Sequence, residues 1–309
     1  MLVRSEAKTS EKFGCKPSER TVEASLNYGI INLDKPKGPT SHQAVDYLKK
    51  ILHISKAGHS GTLDPGVTGV LPVALERSTR IISQVLKAGK DYVCVMHLHS
   101  EVSEDIIRKA VKEMTGNIKQ LPPVKSAVKR QERFRNVYSV NILEIDSKDV
   151  LFEISCQAGT YIRKWVHDFG LKVKVNAHMA ELRRTKAGPF TEEKLVSLHD
   201  LSDNYHFWKE GEECLKIIPV EDAIPHLKKV YVFDTSIDSL CHGANLNLPG
   251  ISKLDEDIVK DEEIAIMSLK GELICLGKAV LSSKEMLGSK GLAVNSHTVF
   301  MLPGTYPKQ

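Results

Sequence analysis

The sequence carries none of the short signatures that usually announce an enzyme's chemistry. It has no GxxxxGK[ST] loop to cradle a nucleoside triphosphate, and no GxGxxG after a strand to seat a dinucleotide. It has no H-E-x-x-H and no G-x-S-x-G. The six cysteines, at 15, 94, 156, 214, 241 and 275, include no C-x-x-C pair and none with a histidine at zinc-finger spacing. Structural zinc needs closely paired ligands, so no metal site is expected. No apolar run is long enough to cross a bilayer, and the opening MLVRSEAKTSEKFGCKPSER has no apolar core of a secretory signal. Scattered cysteines without such a signal read as reduced thiols, so a cytoplasmic protein with no membrane partner is expected. Charge of one sign is also scarce. The net charge of +4 is too small to argue for nucleic acid alone, so bound RNA would require clustered positive charge. What remains is chemistry performed by side chains without a cofactor.

The chain has 309 residues, 41% of them hydrophobic, enough for one large domain or two ordinary ones. Residues 1–28 are polar and aperiodic and read as an extension. From 29 the pattern changes. GIINLD reads as a strand. Ser41 is placed to cap a helix with Val45, Leu48 and Leu52 on one stripe. VLPVAL is a strand, and Ser78 is placed to cap a helix bearing Ile81, Ile82 and Val85. KDYVCVMHLHS alternates Tyr92, Cys94, Met96 and Leu98, a half-buried strand in which the cysteine is core. A helix follows from Ser103, closed by Gly116. LPPVKSAVKRQERFR is a basic, proline-containing connection. VYSVNILEI and VLFEISC are two strands, with Cys156 buried in the second. YIRKWVHDF is a helix ended by Gly170, and MAELRRTKAGPF returns to a loop. Beyond about Lys229, regularly spaced short strands with one short helical piece, SIDSLCHGA, suggest a small barrel.

The stretch GHSGTLDPGVTGVLP (residues 58–72) sets a single acid, Asp64, among glycines, prolines and small hydroxyl residues. Asp before Pro-Gly is good turn chemistry. The same composition also makes a stiff loop that aims one carboxylate at a ligand. Three further stretches have both a bland and a functional reading. In GTYIRKW, Tyr161 and Arg163 sit two apart at a helix start. In LDKPKGPTSH, Lys35 and Lys37 follow a strand. In ELRRTK, Arg183, Arg184 and Lys186 form either a phosphate track or a solvated edge. His59, five residues before Asp64, either contacts substrate or braces the loop.

Taken in order, INLDKPKGPTSH, GHSGTLDPGVTGVLP, KDY, CQAGTYIRKW and ELRR resemble the TruB-type pseudouridine synthases. KVYVFDTSIDSLCHGANLNLPGI through GLAVNSHTVFMLPG resembles the PUA RNA-binding module. The N-terminal extension, RFRNVYSV and LHDL…YHFWKE resemble the archaeal and eukaryotic branch, the catalytic subunit of H/ACA guide ribonucleoproteins. The lack of a lysine-rich tail after Gln309 favours the archaeal side. The resemblance implies an α+β fold with a mixed, largely antiparallel sheet flanked by helices, plus a small β-barrel-like PUA domain. The implied boundaries are 1–28 for the extension, 29–225 for the catalytic domain and 229–305 for the PUA domain.

It also implies a reaction. The N1–C1′ bond of a uridine within RNA is broken, the uracil turns, and C5 is joined to C1′, with no cofactor and no metal. Asp64 falls on the essential aspartate, which attacks C1′ or removes a proton to give a glycal. Tyr92 is the implied ring on the uracil, with its hydroxyl or a nearby base serving removal of the C5 proton. Arg163 is the implied partner that keeps Asp64 ionised and oriented. Tyr161 and Leu182 would wall the base pocket, His59 would touch substrate, and Lys35 would be the basic group near the loop. Arg183, Arg184 and Lys186 would follow the RNA backbone. The implied partners are an H/ACA guide RNA, substrate ribosomal or transfer RNA, small accessory proteins, and a kink-turn-binding protein bridged by RNA. Two alternatives stand beside this reading: a guide-free transfer-RNA synthase and a non-catalytic RNA-binding scaffold.

Overall fold

The structure is a computed structural model that describes residues 1–122, 131–212 and 214–308. Most of the basic connection at 121–135 lies outside the described residues. The chain divides into two compact units, one made of Met1–Ile30, Ala74–Ile81 and Lys216–Gln309, the other of Ile31–Val73 and Ile82–Leu215. The first thirty residues and Ala74–Ile81 group with the C-terminal third of the chain.

The larger unit is built on a mixed sheet. Its strands run in the order Gly29–Lys35, Thr68–Leu75, Ala177–Ala187, Lys90–Leu98, Asp149–Cys156, Arg133–Asp146 and Gly116–Gln120. Thr68–Leu75 is parallel to Ala177–Ala187, and the successive pairs from there to Gly116–Gln120 are antiparallel. The alternation read in KDYVCVMHL is real: Tyr92, Cys94, Met96 and Leu98 are buried together with Lys90. Burial pushes the Cys94 and Cys156 thiols up to about 12. Helix Ile162–Lys172 places Ile162, Trp165, Val166 and Phe169 in this core, where Trp165 stacks on Phe169 at 5.6 Å.

Four local expectations change. MAELRRTKA is not a loop but the strand Ala177–Ala187, paired on both edges. Its polar residues mask it, because one inward position is taken by an arginine. Ser41 does not cap its helix. Thr40 does, in a capping box with Gln43, which frees Ser41 for the neighbouring loop. Ser78 lies inside a 3-10 turn, Glu76–Ile81, and donates to Asn27 O. Gly170 does not end its helix, which runs on to Lys172. A Cβ there would stand 2.6 Å from Ala177 N, so the glycine serves close packing on the next strand.

In the other unit a seven-stranded sheet runs Leu2–Val3, Ile251–Leu254, Lys228–Val232, Glu263–Met267, Leu273–Ala279, Leu292–Val299 and Leu246–Asn247, with helix Asp234–Cys241 packed on it. The N-terminal segment is pinned to this sheet by specific polar bonds. Leu2 and Val3 extend it as an edge strand, Thr9 and Ser10 bond Asp234, and Cys15 N–H donates to Glu272. Such bonds leave no hydrophobic period, which is why the segment reads as a polar extension.

Candidate active site

The Asp64 loop is held from behind at three points. Ser41 Oγ accepts the Leu63 N–H at 2.8 Å and donates to Leu63 O at 3.0 Å, fastening the residue before the acid to a helix start. Lys35 is wholly buried, and its Nζ donates to Pro36 O at 2.9 Å, Pro65 O at 3.3 Å and Val67 O at 2.9 Å. At Gly69 φ is +101°, and a Cβ would lie 2.2 Å from Arg184 O, so only glycine lets the chain leave the loop against that strand. Leu63 and Val67, on either side of the acid, pack into one cluster with Tyr92, Leu182 and Ile162. Asp64 itself remains half exposed, as does Arg163, and the two form an ion pair. The pair joins the loop to the first turn of helix Ile162–Lys172. Tyr161, the residue before that helix, is held by Gln120. Gln120 Nε2 donates to Tyr161 O at 3.1 Å and Oε1 accepts its N–H at 3.0 Å.

The structure corrects the basic track. Neighbouring residues on a strand point to opposite faces, so Arg183 and Arg184 cannot line one path. Arg183 is committed to Asp34, at 3.0 and 3.1 Å, and to Glu192 at 2.6 Å. Arg184 is 1% exposed; its Nε donates to Val70 O at 2.7 Å and its Nη2 to Gly61 O at 3.2 Å. Lys186 is exposed, 3.9 Å from Asp91. Lys35 is likewise turned inward, with its three protons placed on backbone carbonyls, so it supports the loop rather than reaching a ligand. Burial lowers its pKa.

Lys35, Arg184 and Lys90 share an unusual trait: each is buried and bonded to carbonyls. Lys90 Nζ donates to Ala88 O at 2.9 Å and Leu86 O at 3.2 Å, and burial lowers its pKa to about 8. Cations taken from water are costly unless well bonded. Here carbonyls solvate them, leaving positive potential beneath the loop that carries Asp64. Burial raises the Tyr92 pKa, with the nearby Arg184 charge pulling the other way. Tyr92 is thus a neutral hydroxyl at neutral pH, not a resting base. Sequence reading missed His42, Gln120, Ser41 and Lys90. Only the motif neighbourhoods TSH and KDY hinted at three of them, and nothing signals Gln120.

Two expectations follow. Lys35→Met strands three carbonyls, at a cost of about 1–3 kcal/mol per buried group left unpaired. The urea midpoint should fall accordingly, while Lys186→Met, at an exposed lysine, should leave it unmoved. The second concerns His59, whose pKa is pushed down to about 4 by burial, with His42 and Arg184 adding. Between the ordinary value and about 4 the unfolded chain takes up a proton that folded His59 refuses, so its contribution to stability is lost as pH falls through that window. In an NMR titration its ring protons should stay unshifted until pH approaches 4.

The sequence of the molecule matches four family descriptions in succession. They are the DKCLD (NUC011) domain at 1–45, the TruB family pseudouridylate synthase N-terminal domain at 49–162, the tRNA pseudouridylate synthase B C-terminal domain at 163–225 and the PUA domain at 228–300. A probable tRNA pseudouridine synthase B of Pyrococcus abyssi is 55% identical over 98% of this chain and 92% of its own. The chain belongs to the TruB family of pseudouridine synthases. It is therefore an isomerase. A probable tRNA pseudouridine synthase B of Methanopyrus kandleri is 51% identical over 100% of this chain and 93% of its own. Among solved structures, an H/ACA RNP bound to a substrate RNA containing 2'-deoxyuridine aligns with TM-score 0.92 at 49% identity, covering 99% of this chain and 96% of that one. The archaeal box H/ACA sRNP Nop10-Cbf5 complex gives 0.91 at 51% identity, covering 100% and 97%. The mixed α+β fold with a curled PUA-type sheet is that of Cbf5. Among the described residues no helix is long and apolar enough to cross a membrane.

Proposed function

We propose that the protein is the catalytic subunit of an H/ACA guide ribonucleoprotein and isomerises specific uridines of ribosomal RNA, with transfer RNA as a further substrate. The observation that carries this reading is a half-exposed carboxylate, Asp64, on a loop fastened from behind by Ser41 and Lys35 and paired in front with Arg163. The target uridine is flipped out of its stack, and stacking on aromatic walls offsets that cost. Asp64 acts at C1′, either attacking it or removing the proton that gives a glycal. The N1–C1′ bond breaks, the base turns within a pocket bounded by Tyr92, Tyr161 and Leu182, and C5 bonds to C1′. The C5 proton then leaves and N1 gains one, so atoms balance without a co-reactant. The Arg163 guanidinium keeps the carboxylate charged as positive character builds at the sugar. His59 borders the reacting nucleotide.

In this reading the PUA sheet grips the guide RNA, and base pairing with the guide selects the uridine. Nop10 and Gar1, present in the Cbf5 complexes that this chain resembles, would be its accessory proteins, with a kink-turn-binding protein joined through RNA. The names of the relatives favour a second reading, a transfer-RNA synthase that works without a guide and recognises its substrate by shape. One experiment separates them. Purified protein is given a uridine-labelled ribosomal RNA fragment or a transfer RNA, with and without guide RNA and accessory proteins, and pseudouridine is scored. Conversion of the ribosomal fragment only with the guide supports the first reading, and equal conversion of transfer RNA without it supports the second. Conversion of neither would overturn both.

A further inference from the structure

His42 is the second residue of helix Ser41–Leu52 and is exposed. Its Nδ1 lies 3.0 Å from His59 Nε2, with ring centroids 4.9 Å apart. The Gly61 N–H points at His59 Nδ1 at 3.3 Å. A peptide N–H can only donate, so His59 Nδ1 accepts and its proton sits on Nε2. That N–H then donates to His42 Nδ1, which must be unprotonated. The chain of bonds continues inward. Gly61 O accepts from Arg184 Nη2, and Arg184 Nε donates to Val70 O beyond it. Ser41, the preceding residue, grips Leu63 from the same helix start. One helix terminus therefore holds the loop on both sides of Gly61 and Thr62.

We propose that His42 is a positioning residue: by accepting the His59 Nε2–H it fixes the tautomer and ring orientation of His59 and, through Gly61, the seating of the Asp64 loop on Arg184. A ring nitrogen's partner commonly sets which tautomer a histidine adopts. Without His42 the Nε2–H loses its acceptor, and the ring is free to turn and to exchange tautomers. The carboxylate then samples positions off the sugar carbon. The inference deepens the functional reading above and rests on it.

The test uses full-length protein assembled with guide RNA and accessory proteins, comparing His42→Ala and His42→Asn. The asparagine Oδ1 stands near the place of Nδ1 and can accept the same proton. Single-turnover pseudouridine formation should be about tenfold slower in His42→Ala, with substrate affinity unchanged and the rate restored in His42→Asn. In ¹⁵N-histidine-labelled full chain, the His59 nitrogens should report one tautomer in the native protein and in His42→Asn, and a mixture in His42→Ala. Native turnover in His42→Ala, or a slow His42→Asn, would overturn the proposal. So would a single His59 tautomer that survives His42→Ala. The nitrogen spectra need no turnover. If the native assembly forms no pseudouridine, the functional reading fails, while the tautomer result still decides whether His42 orients His59.

Discussion

Asp64→Asn is expected to abolish pseudouridine formation, lowering the single-turnover rate by on the order of 10⁴-fold or more, the scale at which an enzyme loses its principal reacting group. The substitution keeps shape and size and removes only the charge. An amide neither attacks C1′ nor takes a proton, and it gives a cation-like transition state no counter-charge. Loop geometry should be spared, because Ser41 holds Leu63, and Lys35 holds Pro65 and Val67, through backbone atoms. Stability should move little. The pair with Arg163 is half exposed on both sides, and such pairs contribute about 0–1 kcal/mol. RNA affinity should stay within severalfold, since removing one negative charge does not weaken contacts to phosphate. A variant that binds RNA, melts like the native protein and does not turn over would locate the chemistry at this carboxylate. Turnover near the native rate would place it elsewhere.

Arg163→Lys sharpens the same point. Lysine keeps a positive charge but not the planar fork that fixes a carboxylate's orientation. A rate loss in Arg163→Lys at unchanged affinity would show that orientation, beyond charge, is what the helix start contributes.

How much of this site could be read from the sequence depended on how each residue is held. The Lys90–Leu98 strand was legible because alternate residues face one core, and a period of two survives in the text. The Asp64 loop was legible because glycine and proline have few other uses in such density. The inward cations were not. Lys35, Lys90 and Arg184 look like surface groups, since nothing local says that carbonyls from loops distant in sequence will solvate them. Arg183 and Arg184 read as one basic pair until the strand splits them across its two faces. Ser41 read as a cap because capping and tertiary anchoring use the same hydroxyl, and only the Thr40–Gln43 box shows which role is taken elsewhere. His42 shared a motif with Lys35, yet its role depends on a contact seventeen residues away.

The N-terminal segment is the other case, and it gives the second large expected effect. Arg20 and Glu221 meet with 6% and 9% of their side chains exposed, through two bonds of 2.9 and 2.8 Å. Burial alone would lower the Arg20 pKa, but Glu221 raises it. Glu221 also accepts the Leu273 N–H at 2.8 Å, tying the N-terminal segment to a strand of the PUA-type sheet. Breaking a buried pair by removing one partner leaves an uncompensated charge and costs about 3–5 kcal/mol. Glu221→Ala should therefore destabilise this unit by that amount, with an earlier urea midpoint, while an exposed control such as Glu19→Ala should leave it unmoved, since its pair with Lys16 is solvated. The double replacement Arg20→Met with Glu221→Met should recover part of the loss, because two apolar groups can replace a buried pair at little cost, while the Leu273 N–H, left without its acceptor, keeps about 1–3 kcal/mol of it. The same architecture sets a limit on how guide binding can be probed. Deleting residues 229–309 would remove Asp234, Ile251, Ser252 and Glu272, the groups that hold residues 4–15. It would expose the N-terminal segment as well as removing the sheet. Substitutions on the exposed face of the sheet test RNA contact without that collapse. If Glu221→Ala melts like the native protein, the N-terminal segment is held by its other bonds and the pair is not its anchor.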